Sequence, residues 1–242
     1  MTISFFITGF NHQDAHARLS ATQRDELAAA LGSLEGLTRC EIAVPAEVQT
    51  YHGDTEVPAL AVRLDFATLP ALELQLSAGG SIHELASSPL WRSLPLDDVS
   101  QQAMVRRCFL DHLAPGGVES GCDYLVHYPG PAEDFNRWLR HYLDHHAPVM
   151  TTFPKVRCVD VYTRLDWCDA LPWRRDAHMQ RNRIAFDAVH DLLAALGSPV
   201  RDLMRQDHER FPPYSGGSRH YPMHVTRLGA ASSAARSVGS HA

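Results

Sequence analysis

Residues 121–162 read GCDYLVHYPGPAEDFNRWLRHYLDHHAPVMTTFPKVRCVDVY, and the fold is decided by how this stretch is read. A strand leads into the turn Tyr128-Pro129-Gly130-Pro131, an amphipathic helix ends at His145-His146-Ala147-Pro148, and a second strand follows. From Phe135 the apolar positions Phe135, Trp138, Leu139, Tyr142 and Leu143 are spaced by three and four, which makes one helical stripe. His146 lies four residues after Tyr142 and continues that stripe, while His141 and His145 fall at its margin. Pro148 disfavours helical geometry at Ala147, which places His146 in the final turn. A helix end favours a cation and burial disfavours one, so the imidazole is expected near the range useful for proton transfer.

Outward from this stretch, the chain repeats itself. Leu64-Asp65-Phe66 lies over Ile184-Ala185-Phe186 at a spacing of 120. Thr38 to Ile42 lies over Val156 to Asp160 at 118, Gln102 to Val105 over Tyr221 to His224 at 119, and Phe5-Phe6-Ile7 over Leu125-Val126-His127 at 120. Each half reads β-α-β-β-α-β, the ferredoxin-like order. The first half has expected strands at 3–10, 38–44, 59–66 and 101–110, with a helix near 21–34 between Ser20 as N-cap and Gly36 as stop. The second has strands at 122–128, 156–164, 183–186 and 219–227. Later helical regions span 69–91, interrupted at Gly79-Gly80, and 189–208, broken at Gly197-Ser198-Pro199.

These readings divide the chain into a first repeat at 1–112 and a second at 121–228. A linker around Pro115-Gly116-Gly117 joins them, and an Ala/Ser/Gly-rich tail at 229–242 is expected to be disordered. A four-stranded sheet of this kind leaves one face apolar and its edges open, and a second copy in the same chain can cover that face.

Composition narrows the function. A 45% hydrophobic content marks an ordinary globular chain, and a net charge of -6 without a long basic run argues against nucleic acid as a partner. Five cysteines, an odd count with no CxxC pair, fit reduced thiols better than a disulfide framework. The opening MTISFFITGF lacks a basic n-region and reads as a strand, and no segment approaches the ~20 apolar residues of a membrane span. A soluble cytoplasmic protein is the expectation.

The Tyr128-Pro129-Gly130-Pro131 turn, the aromatic helix after it, the His-Ala-Pro ending and Phe153-Pro154 resemble the first half of an EthD-type domain. That family belongs to the dimeric α+β barrel superfamily. The resemblance implies an α+β fold in which two tandem ferredoxin-like repeats form the dimeric α+β barrel within one chain. A further homodimer of such chains is compatible with it. It also implies a cleft between sheet and helices in the second repeat, faced by His146 as general acid/base. Tyr142 and Tyr128 would orient a substrate there, with Phe135, Trp138 and Phe186 as apolar wall. His127 and Tyr128 are adjacent on a strand and point to opposite sides, so only one of them can line a given pocket. Asp207 lies where similar domains often carry an acidic residue, and a surface role is the simpler reading. The first repeat has no histidine at the end of its equivalent helix, so a single pocket is expected.

Metal and nucleotide readings find little support. Among 15 histidines, His141 and His145 have helical i, i+4 spacing and His220 and His224 share a strand face, but no third ligand is fixed. No metal and no cofactor are expected. GxGxxG, Walker, GxSxG and CxxC patterns are absent from the chain. Two function classes remain. One is a cofactor-independent isomerase, cyclase, dehydratase or decarboxylase acting on a small aromatic or polyketide-like metabolite, as in aromatic catabolism. The other is a non-catalytic EthD-like accessory or small-molecule-binding protein beside an oxygenase. A haem role, also found in the superfamily, has an available axial histidine and nothing more.

Overall fold

A computed structural model describes residues 2–48, 56–113 and 118–229. The first half contains β1 (Thr2–Phe10), α1 (Ala21–Gly32), β2 (Leu37–Pro45), β3 (Leu60–Phe66), the short helices α2 (Leu69–Leu76), α3 (Ser81–Ala86) and α4 (Pro89–Ser93), and β4 (Asp98–Asp111). The second contains β5 (Val118–Tyr128), α5 (Phe135–His141), a π-helical turn (Tyr142–His146), α6 (Ala147–Met150), β6 (Cys158–Arg164), β7 (Arg174–Arg175), β8 (Gln180–Phe186), α7 (Val189–Leu196), α8 (Val200–His208) and β9 (Arg219–Gly229). Eight strands close a barrel in the order β1-β3-β2-β9-β5-β8-β6-β4, with β4 returning to β1 and every neighbour antiparallel. The short β7 adds to β4 in parallel. The halves meet at two seams, β2 with β9 and β4 with β6.

Local chemistry explains the elements. Ser20 accepts from the Gln23 N–H while the Gln23 side chain accepts from the Ser20 N–H, a reciprocal cap that starts α1. Gly36 ends the turn after it at φ +77, a conformation that favours glycine. Strand residues alternate between two environments, as the pleat requires. Ile3, Phe5 and Ile7 pack in a core under the first-half helices, and Cys122, Tyr124, Val126 and Tyr128 in a second core under α5 to α8. Ser4, Phe6, Thr8, Asp123, Leu125 and His127 turn into the barrel.

The structure departs from the sequence reading in particular places. β5 begins at Val118 and β8 at Gln180, both ahead of expectation. Gln180, Arg181, Asn182 and Arg183 are polar yet buried, so no apolar pattern announces them. Two of the self-matches are also out of phase with the sheet. Phe6 stands opposite Arg63 and Leu125 opposite Arg183, so the equivalent spacing for β1 and β5 is one shorter than the match at 120. Glu41 stands opposite Arg63 and Asp160 opposite Arg183, one longer than the match at 118. Strand β5 shortens the linker to 112–117, of which 114–117 lie outside the described residues, as does the tail beyond Gly229. Cys40, Cys122 and Cys158 are buried and Cys108 and Cys168 exposed, all as free thiols. Among the described residues no helix is long and apolar enough to cross a membrane.

The barrel interior holds ion pairs. Arg63 reaches Glu41 at 2.8 Å and Asp160 at 3.2 Å; Arg183 reaches Asp160 at 3.2 Å and also contacts Glu41 and Asp123. Arg106 pairs with Asp160 at 2.8 Å, and Arg227 with Asp123. Burial would raise the Glu41 and Asp160 carboxyl pKa values. The arginines prevail, Arg183 and Arg63 foremost at each, and hold both at about 2. Gly121 makes room for this packing: a Cβ there would sit 2.8 Å from the Phe186 carbonyl oxygen and closer still to the Arg227 guanidinium. Replacing Arg183 with leucine takes one arginine partner from each of three buried carboxylates, and should cost about 3–5 kcal/mol of unfolding free energy in denaturant titrations. Arg205→Leu, which removes an exposed pair with Asp202, should cost less than about 1 kcal/mol in the same measurement.

Candidate functional site

The helix from Phe135 carries the site. Asp134 caps its start by accepting from the Arg137 N–H at 3.0 Å. The chain does not stop at Ala147 as the proline rule suggests. The Ala147 N–H bonds the Tyr142 carbonyl five residues back, and helix resumes through Pro148 to Met150. The π-turn changes the hydrogen-bond register just before the proline, which supplies no N–H of its own, and the chain proceeds. His146 therefore sits inside the helical run, without the bare carbonyls of a helix end.

His146 is buried at 5% exposure, in line with its place on the apolar stripe. Its Nδ1 lies 2.8 Å from one oxygen of Asp207 on α8, and the other Asp207 oxygen lies 3.1 Å from Nε2 of His141. An ionised carboxylate only accepts, so Nδ1 of His146 carries the proton in this pairing. Burial pushes the imidazole pKa down to about 4, against the upward pull of the Asp207 hydrogen bond and charge. The expectation of a value near the working range is thus corrected: burial outweighs the carboxylate, and the ring is neutral at pH 7. Nδ1 is thus engaged by Asp207, which leaves Nε2 as the second polar atom of the ring.

His146 borders a cavity of about 200 Å³ between the sheet and α6 to α8. Val126, Met150, Phe153, Ile184, Leu196 and Met204 supply apolar wall, and Tyr124, Tyr128, His146, Asn182, His208, Ser218 and His220 supply polar atoms. Arg201, Asp202 and Arg205 also border it.

Of the residues singled out in the sequence, the structure brings His146 and Tyr128 to this wall. Tyr142 is fully buried one layer behind, and its hydroxyl accepts from the Asn182 side-chain amide. Burial raises the pKa of both tyrosines, so each keeps its proton. Trp138 stacks on Tyr142 at 5.1 Å within the second core, Phe186 lies in the same core, and Phe135 packs at its edge under the Arg164 guanidinium. None of these three borders the cavity. His127 faces the barrel interior beside His178 and Tyr221, on the opposite side from Tyr128 as strand geometry demands.

Asp207 is corrected from a surface residue to the partner of His146, its side chain 12% exposed. A signal existed: Val200, Met204, Asp207 and Phe211 share helical spacing, and the three apolar members pack against the second core. Asn182 was missed, although its even spacing from Ile184 and Phe186 puts an amide on an apolar strand face. Among the described residues no group of three or more histidine, cysteine, aspartate or glutamate side chains could hold a metal ion.

No protein-family model matches this chain, and no curated protein matches it in sequence. Solved structures do. An anthrone oxidase-like protein superposes with a TM-score of 0.62 at 11% identity, covering 98% of this chain and 96% of its own. Proteins described as monooxygenases from Fusobacterium nucleatum and Lactobacillus acidophilus each give 0.56, at 7% and 9% identity. The first match covers 95% of both chains, the second 95% of this chain and 97% of its own. At such identities the likeness shows the fold, that of the dimeric α+β barrel proteins.

The low pKa of His146 has a consequence for stability. The unfolded imidazole takes its proton near 6.5 and the folded one only near 4, so between these values the unfolded state binds more protons and stability falls as pH drops. Thermal melts from pH 7 to 4 should show a falling Tm, with a shallower slope in His146→Gln. The slope that remains belongs to other histidines that burial holds low, His127, His178 and His208 among them, and toward pH 4 also to Glu41 and Asp160, which the arginines hold low. An unchanged slope in the variant would mean that His146 protonates freely in the folded chain.

Proposed function

We propose that the chain is a cofactor-independent enzyme of small-molecule metabolism in which His146 moves a proton to and from a bound carbonyl or phenolic compound. The observation that carries this reading is a buried imidazole that borders the cavity while its Nδ1 is tied to Asp207. In outline, Nε2 accepts a proton from an acidic C–H or O–H of the substrate. The imidazolium is stabilised by Asp207, and the same nitrogen returns the proton at another atom. That outline covers isomerase, cyclase, dehydratase and decarboxylase chemistry on aromatic or polyketide-like compounds. Tyr128 and Asn182 hold the substrate oxygen, with Tyr142 buttressing Asn182 from behind.

The ligand is small. A cavity of ~150 Å³ accommodates benzene, so about 200 Å³ suits one or two rings. In the same reading, residues 1–112 and 121–228 are ferredoxin-like repeats of EthD type, the second carrying the site and the first serving as scaffold. The strand orders β4-β1-β3-β2 and β9-β5-β8-β6 support that division. A second reading draws on the neighbours, whose names point to oxygenation. A substrate carbanion formed at His146 could react with dioxygen as co-substrate.

A thermal-shift screen of one- and two-ring phenols, lactones and quinones on wild type and His146→Gln comes first. Hits are then followed by NMR for exchange of their acidic C–H with D₂O. Wild type should catalyse exchange, with a loss of ~10²–10⁴-fold in His146→Gln. Oxygen uptake alongside exchange would select the second reading. Binding of equal strength in both proteins without exchange or turnover would replace the enzyme by a binding protein.

A further inference from the structure

His141 is absent from the cavity wall, yet it holds half of the carboxylate that His146 depends on. We propose that His141 is a positioning residue of the candidate site, holding the second oxygen of Asp207 so that the first stays on His146 and fixes the tautomer whose Nε2 faces the cavity. Its catalytic meaning rests on the function proposed above; its structural content does not.

The argument begins with helix geometry. Residues five apart on an α-helix are about 140° apart around the axis, too far to converge on one carboxylate. Between His141 and His146 lies the π-turn, whose hydrogen bond spans five residues, from the Ala147 N–H to the Tyr142 carbonyl. A turn wound wider than the α-helix narrows that angle. Nε2 of His141 and Nδ1 of His146 therefore meet the two oxygens of one aspartate, at 3.1 and 2.8 Å. Rare π-turns recur at functional sites, and here the turn joins these two rings to one acid.

The environment completes the clamp. Phe211 packs edge-on against both rings, at 5.4 Å from His141 and 4.8 Å from His146. Side-chain exposure rises outward, from 6% at His146 through 12% at Asp207 to 20% at His141. His141 reaches an outer groove bordered by Arg137, Arg140 and Arg210, while His146 borders the inner cavity. The carboxylate thus lies between the groove and the cavity. With one oxygen unheld, it could rotate away from Nδ1, and the proton could move to Nε2, leaving the cavity with a donor in place of a base.

The test reads the tautomer directly, apart from any turnover. Full-length protein labelled with ¹⁵N-histidine is studied by two-bond ¹H–¹⁵N correlation at neutral pH, with the His146 signals assigned by their loss in His146→Gln. Wild type should show the Nδ1–H form, and Asp207→Asn should lose that preference. His141→Ala should lower the tautomer ratio by roughly fivefold or more, the size of one ordinary hydrogen bond. His141→Gln, whose amide N–H can reach the same oxygen, should restore it. If His141→Ala does not fold, His141→Asn, whose amide is too short for the contact, is judged by the same criterion. A wild-type ratio in the variant lacking the contact would overturn the proposal and reduce His141 to a staple between helices. A shifted ratio in a protein without proton-exchange activity would leave the positioning role standing and sink only the proposed base.

Discussion

The barrel interior sets the terms for the rest of the molecule. Closing eight strands within one chain turns one face of every strand inward, and much of that inner face is charged. Arg63, Arg106, Arg183 and Arg227 meet Glu41, Asp65, Asp123 and Asp160. Side chains alternate strictly along a strand, so a slip of one residue in any ladder would send charges into the helix-packed cores and apolar side chains into the lumen. Such ion pairs add little net stability over an apolar filling, but breaking one is severe. Register is thereby specified by charge inside and by apolar packing outside.

That register positions the site. Asn182 and Ile184 face outward because Arg181 and Arg183 face inward, and Tyr124, Val126 and Tyr128 face outward because Asp123, Leu125 and His127 do not. The cavity lies on this outer face, under α6 to α8, and the lumen is packed with arginines and acids. Apolar walls beside a buried imidazole, with a carboxylate partner behind it, support the proton-handling role proposed for this site.

The site also depends on a local irregularity. A regular helix through Phe135 to Met150 would place His141 and His146 on different sides and would conflict with Pro148. The π-turn removes both obstacles at once. Burial and the carboxylate then oppose each other at His146, and burial wins because the ring is inside the helical run and the second core closes over it.

Much of the fold was legible from local rules. Alternation marked the barrel strands to within a few residues, the Ser20 cap and Gly36 marked the first helix, and the apolar stripe foretold that His146 is buried. The polar starts of β5 and β8 were not legible, because Gln180 and Arg181 are inward-facing only once a barrel exists to bury them. Nor was the register of the strands, which ladder pairing sets and residue identity does not. Of the candidate residues, His146 and Tyr128 border the cavity, whereas Phe135, Trp138 and Phe186 carry the same apolar signal and pack in or against the core. The sequence by itself determined which residues are apolar, which strands alternate and which helix carries the histidines, since these follow from short-range periodicity. Only the tertiary structure decided that Asp207, sixty-one residues away, meets His146. That pairing requires the π-turn to rotate the ring and the barrel to bring α8 against the helix.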